Sequence, residues 1–595
     1  MKVLFRKPRS RARPCTPADL RAAEPFVQLD GAVKHAVETG RNRVVIAAAV
    51  FGLCFLALAG RLADLMLFRG GIESSPTRTA GLSAAVEQLP AVKRAPIVDR
   101  NGVLLAVNLR SVALAADPRK LMDPREAATK LARLFPELNR ARLEEELRSD
   151  KGFVYVRRNL APAEQQAVNR LGIPGLSFHP EEKRVYPQGS LAVHAVGYTD
   201  IDGKGIAGAE QALDQRLRDP ARMQEPVRLS IDIRVQHALR DEIAQAMKTY
   251  SAIGGAGIVL DVRTGEVAAL VSLPDFEPLE RGTAPADSRF NRMTLGVYEM
   301  GSTFKTFALA MALDAGTVGL NGGYDASHPI KISRFTISDD HPKNRWLSTA
   351  EIYQYSSNIG AAKMAVDVGP AGQRAFMDRM GMLRRAAIEL PEIGAPLYPR
   401  RWGTIETMTI AYGHGISVSP LQTASGIAAV VNGGLLMPAT LLRREAGEPV
   451  PVQRVLKPRT SDIMRRLMRL VVAEGTGTRA DAQGYMVGGK TGTAEKAGAG
   501  GYKRKSLLTS FVSAFPMHDP RYVVIAILDE PKGTKETHGF ATAGWNAAPT
   551  VGKIIPRIAP ILGVVPVASD APGVREALML PPPVPASQER KVASF

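Results

Sequence analysis

The sequence predicts an α+β protein behind a single transmembrane helix. An extended mixed α/β pedestal comes next, then a larger domain with an antiparallel sheet and a helical subdomain. Three observations predict this. One uncharged apolar run lies near the N-terminus. Strand and hairpin signals cluster at both ends of residues 226–563. Apolar helical patterns fill the stretch between them.

Composition narrows the class. The chain has 595 residues, 45% hydrophobic and 23% charged, which excludes a collagen-like, disulfide-dense or wholly disordered protein. The formal net charge of +19 suggests an anionic partner: nucleic acid, lipid headgroups or an anionic polymer. Cys15 and Cys54 are the only cysteines, so a disulfide framework and a cysteine-rich zinc site are excluded. No histidine pair has helical i, i+4 spacing, and no metal or cofactor is expected.

Residues 1–43 form a polar tail with ten Lys or Arg and four Asp or Glu. Val44 to Gly60 then run seventeen residues without a charge. At 1.5 Å per residue this is about 26 Å of helix, near the lower limit for a bilayer span, and residues 61–66 extend it. The basic flank is expected to keep the N-terminus in the cytoplasm and to export the rest, as a single-pass protein. A cleaved signal peptide is the rival reading, but the leader is long and no small-residue cleavage site follows Gly60. The basic tail then reads as a topology determinant and not as a nucleic-acid arm.

Residues 67–92 are small and polar and read as a stalk, and residues 93–225 as the pedestal. Val98 to Ala106 look like two short strands about an Arg100-Asn101-Gly102 turn. Helical patterns follow at Asp123–Leu134 and Ala141–Arg148, then a glycine-rich turn from Asp202 to Gly208. The third domain, 226–563, opens with a strand-like Val227–Asp232 and an amphipathic helix at Val235–Ala246. Gly257–Val262 and Glu266–Leu273 flank Arg263-Thr264-Gly265 as a hairpin. Leu507–Phe515 and Tyr522–Leu528 are the β-rich runs at the far end. Between them, Ser419-Pro420-Leu421-Gln422 sets a capping serine before a helix that Gly433 and Gly434 stop. Residues 564–595, with Pro581-Pro582-Pro583, read as a flexible tail.

Three short elements carry chemistry. Ser302 and Lys305 stand three apart before an apolar run, Phe307 to Leu313. A serine hydroxyl needs a base, and a lysine serves only if burial or positive neighbours lower its pKa from about 10.4 towards about 7–8. A buried helix start fits that need, and its free N–H groups suit an oxyanion. Ser356 and Asn358, on a connection before a second apolar helix, can relay a proton and bond a substrate amide. Lys490-Thr491-Gly492-Thr493 follows two glycines, so a substrate backbone can approach it as an added strand. Lys490 supplies charge, and Thr491 and Thr493 can bond a carboxylate. Gly475-Thr476-Gly477-Thr478 lacks phosphate-loop spacing. Each element alone also reads as an ordinary cap or turn.

Taken in order, Ser-x-x-Lys, Ser-x-Asn and Lys-Thr-Gly form the signature of penicillin-binding proteins and class A β-lactamases. The chain resembles a class B penicillin-binding protein, most like the division-specific (septal) peptidoglycan D,D-transpeptidases. The resemblance also rests on Asp99-Arg100-Asn101-Gly102, Arg184-Val185-Tyr186-Pro187 and Gly205-x-x-Gly208-x-Glu210. It implies a dimerisation-type pedestal and a β-lactamase-like transpeptidase domain, with the anchor in the inner membrane and the catalytic domain in the periplasm. Ser302 attacks the penultimate D-Ala carbonyl of a stem peptide, with Lys305 as base. Ser356 and Asn358 move protons and hold substrate. Lys490, Thr491, Gly492 and Thr493 orient the substrate strand, and the Ser302 and Thr493 N–H groups form the oxyanion hole. The implied partners are peptidoglycan strands ending in D-Ala-D-Ala, β-lactams, a SEDS-family glycosyltransferase and divisome subunits.

The sequence departs from many relatives at Met300 and Ala95. His341, within Ile337-Ser338-Asp339-Asp340-His341, is expected to be structural or to line the groove. The rival functions are an elongation-specific transpeptidase, a serine β-lactamase or β-lactam sensor, and a divisome scaffold without activity. The anchor and the extra exported domain argue against a lactamase, and the intact triplet argues against a dead scaffold.

Overall fold

The computed structural model describes residues 31–63, 94–333, 335–445, 447–498 and 501–580. The expected stalk, and most of the expected N-terminal tail, lie outside them. Gly31–Ala63 is one helix, α1, and it belongs to a unit separate from that of Ala91–Phe595. It starts thirteen positions before the expected Val44, because no proline interrupts the chain between Pro25 and Ala63. Residues 43–60 are exposed, and the helix is long and apolar enough to cross a membrane.

The pedestal sheet begins with Ile97–Val98 (β1) and Leu104–Ala116 (β2) about the expected turn. Strand β2 is thirteen residues long, not short. Helices Pro124–Leu134 (α2) and Arg140–Leu147 (α3) follow, each opened by a side-chain cap, Asp123 or Asn139. Strands Val154–Leu160 (β3) and Leu176–Val185 (β4) both pair antiparallel with β2. Leu114 and Ala116 meet Leu131, Phe135 and Leu147 in the core beneath. Behind β1 lies a buried ion cluster. Glu210 accepts from Arg94 Nε at 2.6 Å and Arg184 Nε at 2.7 Å. Arg94 also reaches Asp214 at 2.5 Å.

The strand expected to open the third domain is shorter, Val227–Arg228 (β5), and pairs in parallel with β1. It therefore belongs to the pedestal sheet. Asp99 completes this joint. Its Oδ1 accepts the N–H groups of Asn101 at 2.7 Å and Val103 at 2.8 Å, and its Oδ2 accepts that of Ile233 at 3.2 Å. Ile233 opens helix α4, Ile233–Thr249.

The second sheet is built from Gly254–Asp261 (β6) and Val267–Leu273 (β7), which form the expected hairpin. The chain then leaves for the helical subdomain: Lys305–Ala315 (α5), Thr349–Gln354 (α6), Asn358–Arg379 (α7), Pro420–Val431 (α8) and Pro458–Glu474 (α9). Ser419 and Gln422 form the expected capping box on α8. The chain returns through Gly488–Gly498 (β8), Gly501–Phe515 (β9) and Tyr522–Asp529 (β10), in the order β8-β9-β10-β6-β7. Strands β6, β7 and β10 are buried throughout, because both sheet faces are covered. The period of two divides them. Ile258, Ile525 and Ile527 meet the helical subdomain, and Val259, Val524 and Ala526 meet α4 and Ala547–Ile558 (α10).

The expected flexible tail is ordered at its start. Val567 N–H bonds Gly484 O at 2.9 Å, and Pro572–Leu578 forms α11 with Val574 buried. Arg466 Nε bonds Ala577 O at 3.1 Å, which docks α11 on α9. Residues 581–595 lie outside the described residues.

Candidate active site

Ser302 does not open an α-helix as expected. It sits in a 3-10 turn, Gly301–Phe304, that leads into α5. In such a turn residues three apart eclipse each other. Lys305 Nζ therefore lies 2.9 Å from Ser302 Oγ. The rings of Phe304 and Phe307, both buried, lock the turn and helix into the core. The turn rests directly on β8. Gly301 has φ 54°, and a Cβ there would stand 2.5 Å from Thr493 O. A Cβ at Gly492 would meet Met300 O at 2.5 Å. These two glycines let the first and third elements touch.

Ser356 lies between α6 and α7 at φ 62°, left-handed for a residue with a side chain. That conformation turns both its oxygens to Lys305 Nζ, the carbonyl at 2.7 Å and Oγ at 3.0 Å. Asn358 Oδ1 is 2.6 Å from the same nitrogen. Lys490, on β8, is fully buried, and its Nζ bonds Ser356 Oγ at 2.9 Å. One hydroxyl thus bridges two lysines. Ser302, Lys305, Ser356, Asn358 and Lys490 form a single hydrogen-bonded network.

The two threonines differ. Thr491 is largely buried, and its Oγ1 meets Lys490 Nζ at 3.3 Å and Thr476 Oγ1 at 2.8 Å. Thr493 is half-buried, and its Oγ1 accepts from Ala543 N at 3.1 Å. Strand β8 is the edge of its sheet, the position at which an added strand can pair. His341 is exposed, outside the network.

Burial lowers the Lys305 pKa to about 8, opposed by the charges of Asp340 and Asp339. Burial, with the neighbouring charge of Lys305, holds Lys490 well below its usual value. A lysine that is neutral for part of the time near neutral pH can take a proton from a serine.

Two participants escape a reading by motif. Thr476 is visible in the sequence only as part of a failed phosphate loop, although its glycine-flanked hydroxyl holds Thr491. Asp339 accepts from Ser357 Oγ, Asn358 N and Ile359 N, a role that no local spacing announces.

A serine on a buried lysine, a second hydroxyl between two lysines and a sheet edge to receive an extended ligand are the parts of an active-serine acyltransferase. Comparison with known proteins narrows that class. Residues 255–554 match the penicillin binding protein transpeptidase domain, and residues 90–222 the penicillin-binding protein dimerisation domain. The chain is 39% identical over 534 residues to the probable peptidoglycan D,D-transpeptidase FtsI of Caulobacter vibrioides, covering 88% of this chain and 89% of that protein. It is 32% identical over 556 residues to the probable peptidoglycan D,D-transpeptidase PenA of Neisseria gonorrhoeae, covering 88% and 93%. The crystal structure of penicillin binding protein 3 from Mycobacterium tuberculosis has the same fold, with TM-score 0.64 and 24% identity over 80% of this chain and 97% of that one. The chain belongs to the class B penicillin-binding proteins, with a dimerisation domain ahead of a transpeptidase domain.

Proposed function

We propose that this protein is a membrane-anchored serine D,D-transpeptidase that crosslinks peptidoglycan stem peptides at the division septum through an acyl-enzyme on Ser302. The observation that carries the reading is the 2.9 Å contact between Ser302 Oγ and the buried Lys305 Nζ. Neutral Lys305 takes the Ser302 proton as Oγ attacks the penultimate D-Ala carbonyl. The N–H groups of Ser302 and Thr493 receive the oxyanion. The peptide C–N bond then breaks, and the terminal D-Ala nitrogen collects a proton through Ser356, which bridges Lys305 and Lys490. An amine on a neighbouring strand next attacks the ester. Its nitrogen bonds the carbonyl, the C–Oγ bond breaks, and the amine proton returns to Ser302. The donor peptide lies along β8, and Thr493 and Lys490 face its carboxylate end. β-Lactams acylate the same oxygen because they present a similar carbonyl.

The septal assignment draws on the FtsI relative. The anchoring draws on α1, with its basic side in the cytoplasm. A SEDS-family glycosyltransferase and divisome subunits are the proposed users of the anchor and pedestal.

The test is acylation of the full chain in detergent by a fluorescent penicillin, beside Ser302→Ala. Slowly released label on the wild type and none on the variant is expected. Rapid turnover of the penicillin would replace this reading with a lactamase, and an unlabelled, folded wild type would replace it with a scaffold. A fluorescent fusion that spreads along the side wall, away from division sites, would transfer the role to elongation.

A further inference from the structure

The three sequence elements supply every group that touches Lys305 Nζ, but none of them explains how Ser356 is kept in a left-handed conformation. The support comes from a separate segment of chain. Asp339 Oδ1 accepts the N–H of Asn358 at 2.5 Å and that of Ile359 at 3.0 Å. Asp339 Oδ2 accepts the hydroxyl of Ser357 at 2.7 Å, and that hydroxyl oxygen accepts the N–H of Gly360 at 3.0 Å. The free N–H groups that open α7 are thus gathered by one carboxylate and one hydroxyl. The preceding residue completes the grip: Ser338 O accepts from Asn358 Nδ2 at 2.9 Å, which turns Asn358 Oδ1 towards Lys305.

We propose that Asp339 is a positioning residue for acyl transfer: it clamps the Ser356–Asn358 turn so that three oxygens converge on Lys305, and its negative charge holds that lysine in register with its partners. The proposal rests on the reading of Ser302 as nucleophile and Lys305 as base. The clamp works at the helix start, where a carboxylate also offsets the positive end of the α7 dipole. Two cations and two carboxylates meet here. Lys305 is faced by Lys490 from β8 and by Asp339 and Asp340 from the segment before α6, with uncharged Ser302, Ser356 and Asn358 completing its surroundings. Both carboxylates oppose the effect of burial on Lys305. Asp340 makes none of the clamp's hydrogen bonds, so it acts on Lys305 through charge alone. The two effects are therefore separable by mutation.

The experiment uses the full chain in detergent and measures the rate of acylation by a fluorescent penicillin from about pH 6 to about pH 10, spanning the range over which a perturbed lysine titrates. Asp339→Ala removes clamp and charge, and its rate is expected to fall by roughly tenfold to a hundredfold at every pH. Asp339→Asn keeps an oxygen that accepts the two N–H groups. It should recover most of the maximal rate while its acid limb moves to lower pH, because Lys305 loses a charge that favoured its protonated form. Asp340→Asn should show the same limb shift with the maximal rate intact. Wild-type rates in Asp339→Ala would overturn the proposal. So would equal slowing of Asp339→Ala and Asp339→Asn with an unmoved acid limb, which would reduce Asp339 to a helix support. If Asp339→Ala does not fold, the asparagine variants decide alone. Label on Ser302→Ala, or none on the wild type, would overturn the acyl-enzyme reading itself and is visible separately.

Discussion

Lys305 has more acceptors around it than an ammonium has protons. Four oxygens, from Ser302, Asn358 and both groups of Ser356, stand 2.6 to 3.0 Å from Nζ. An ammonium carries three N–H groups, whereas a neutral amine has two and a lone pair. In the neutral form the lone pair can face the Ser302 hydroxyl while the two protons go to the Ser356 carbonyl and Asn358, which leaves Ser356 Oγ to its bond from Lys490. With a pKa brought down to about 8 by burial, the neutral fraction grows as pH rises through that value. The acylation rate of the wild type should therefore climb with pH to a plateau whose acid limb lies near 8. Lys305→Arg should abolish acylation, since a guanidinium never gives up its proton in this range. A pH–rate profile checks the first expectation and a single labelling reaction the second. At a second residue the stakes are structural. Glu210 is fully buried between Arg94 and Arg184, so Glu210→Ala leaves two buried guanidinium groups without their shared carboxylate. A loss of about 3–5 kcal/mol is expected, read from urea unfolding of the full chain in detergent.

At the scale of elements, legibility followed how local each interaction is. The hairpin of β6 and β7 and the cap of α8 were readable because their determinants lie within a few residues: Arg263-Thr264-Gly265 for the turn, and Ser419 with Gln422 for the cap. The three site elements were readable because the chemistry demands particular residues at fixed short spacings. Asp339 was not, since the fold alone brings it to Asn358 and Ile359. The pairing of β5 was not legible, because its partner, β1, lies far upstream. The tail misled for another reason. Its prolines and small residues suggest disorder, yet α11 meets α9 and Leu578 packs against the core, contacts that only tertiary packing supplies. Ending the chain after Gly563 removes α11 and should lower the melting temperature by a few degrees without changing the acylation rate, as about 1–2 kcal/mol of apolar burial is lost. Ending it after Leu580 should change neither. Thermal melts beside penicillin labelling test both truncations.

At the scale of the molecule, the pedestal and the transpeptidase domain share backbone structure. Strands β1 and β5 pair, Asp99 ties the first turn of the pedestal to the start of α4, and Arg100 meets Glu266 at 3.2 Å. The sheet of the transpeptidase domain joins distant parts of the chain in the same manner. Val259 in β6 pairs with Val524 in β10, and the whole helical subdomain is threaded between them. That pairing has a consequence for how the protein is made. During synthesis Ser302 and Lys305 emerge well before Lys490, and the β6–β7 hairpin waits for its β10 neighbour until the whole helical subdomain has been made. Non-local pairing of this kind is slow and leaves apolar edges uncovered meanwhile. A nascent chain therefore carries Ser302 before the sheet that completes its surroundings. A message truncated before Tyr522 is therefore expected to yield a chain that penicillin does not label, although it contains Ser302 and Lys305, because β10 is missing from between β9 and β6.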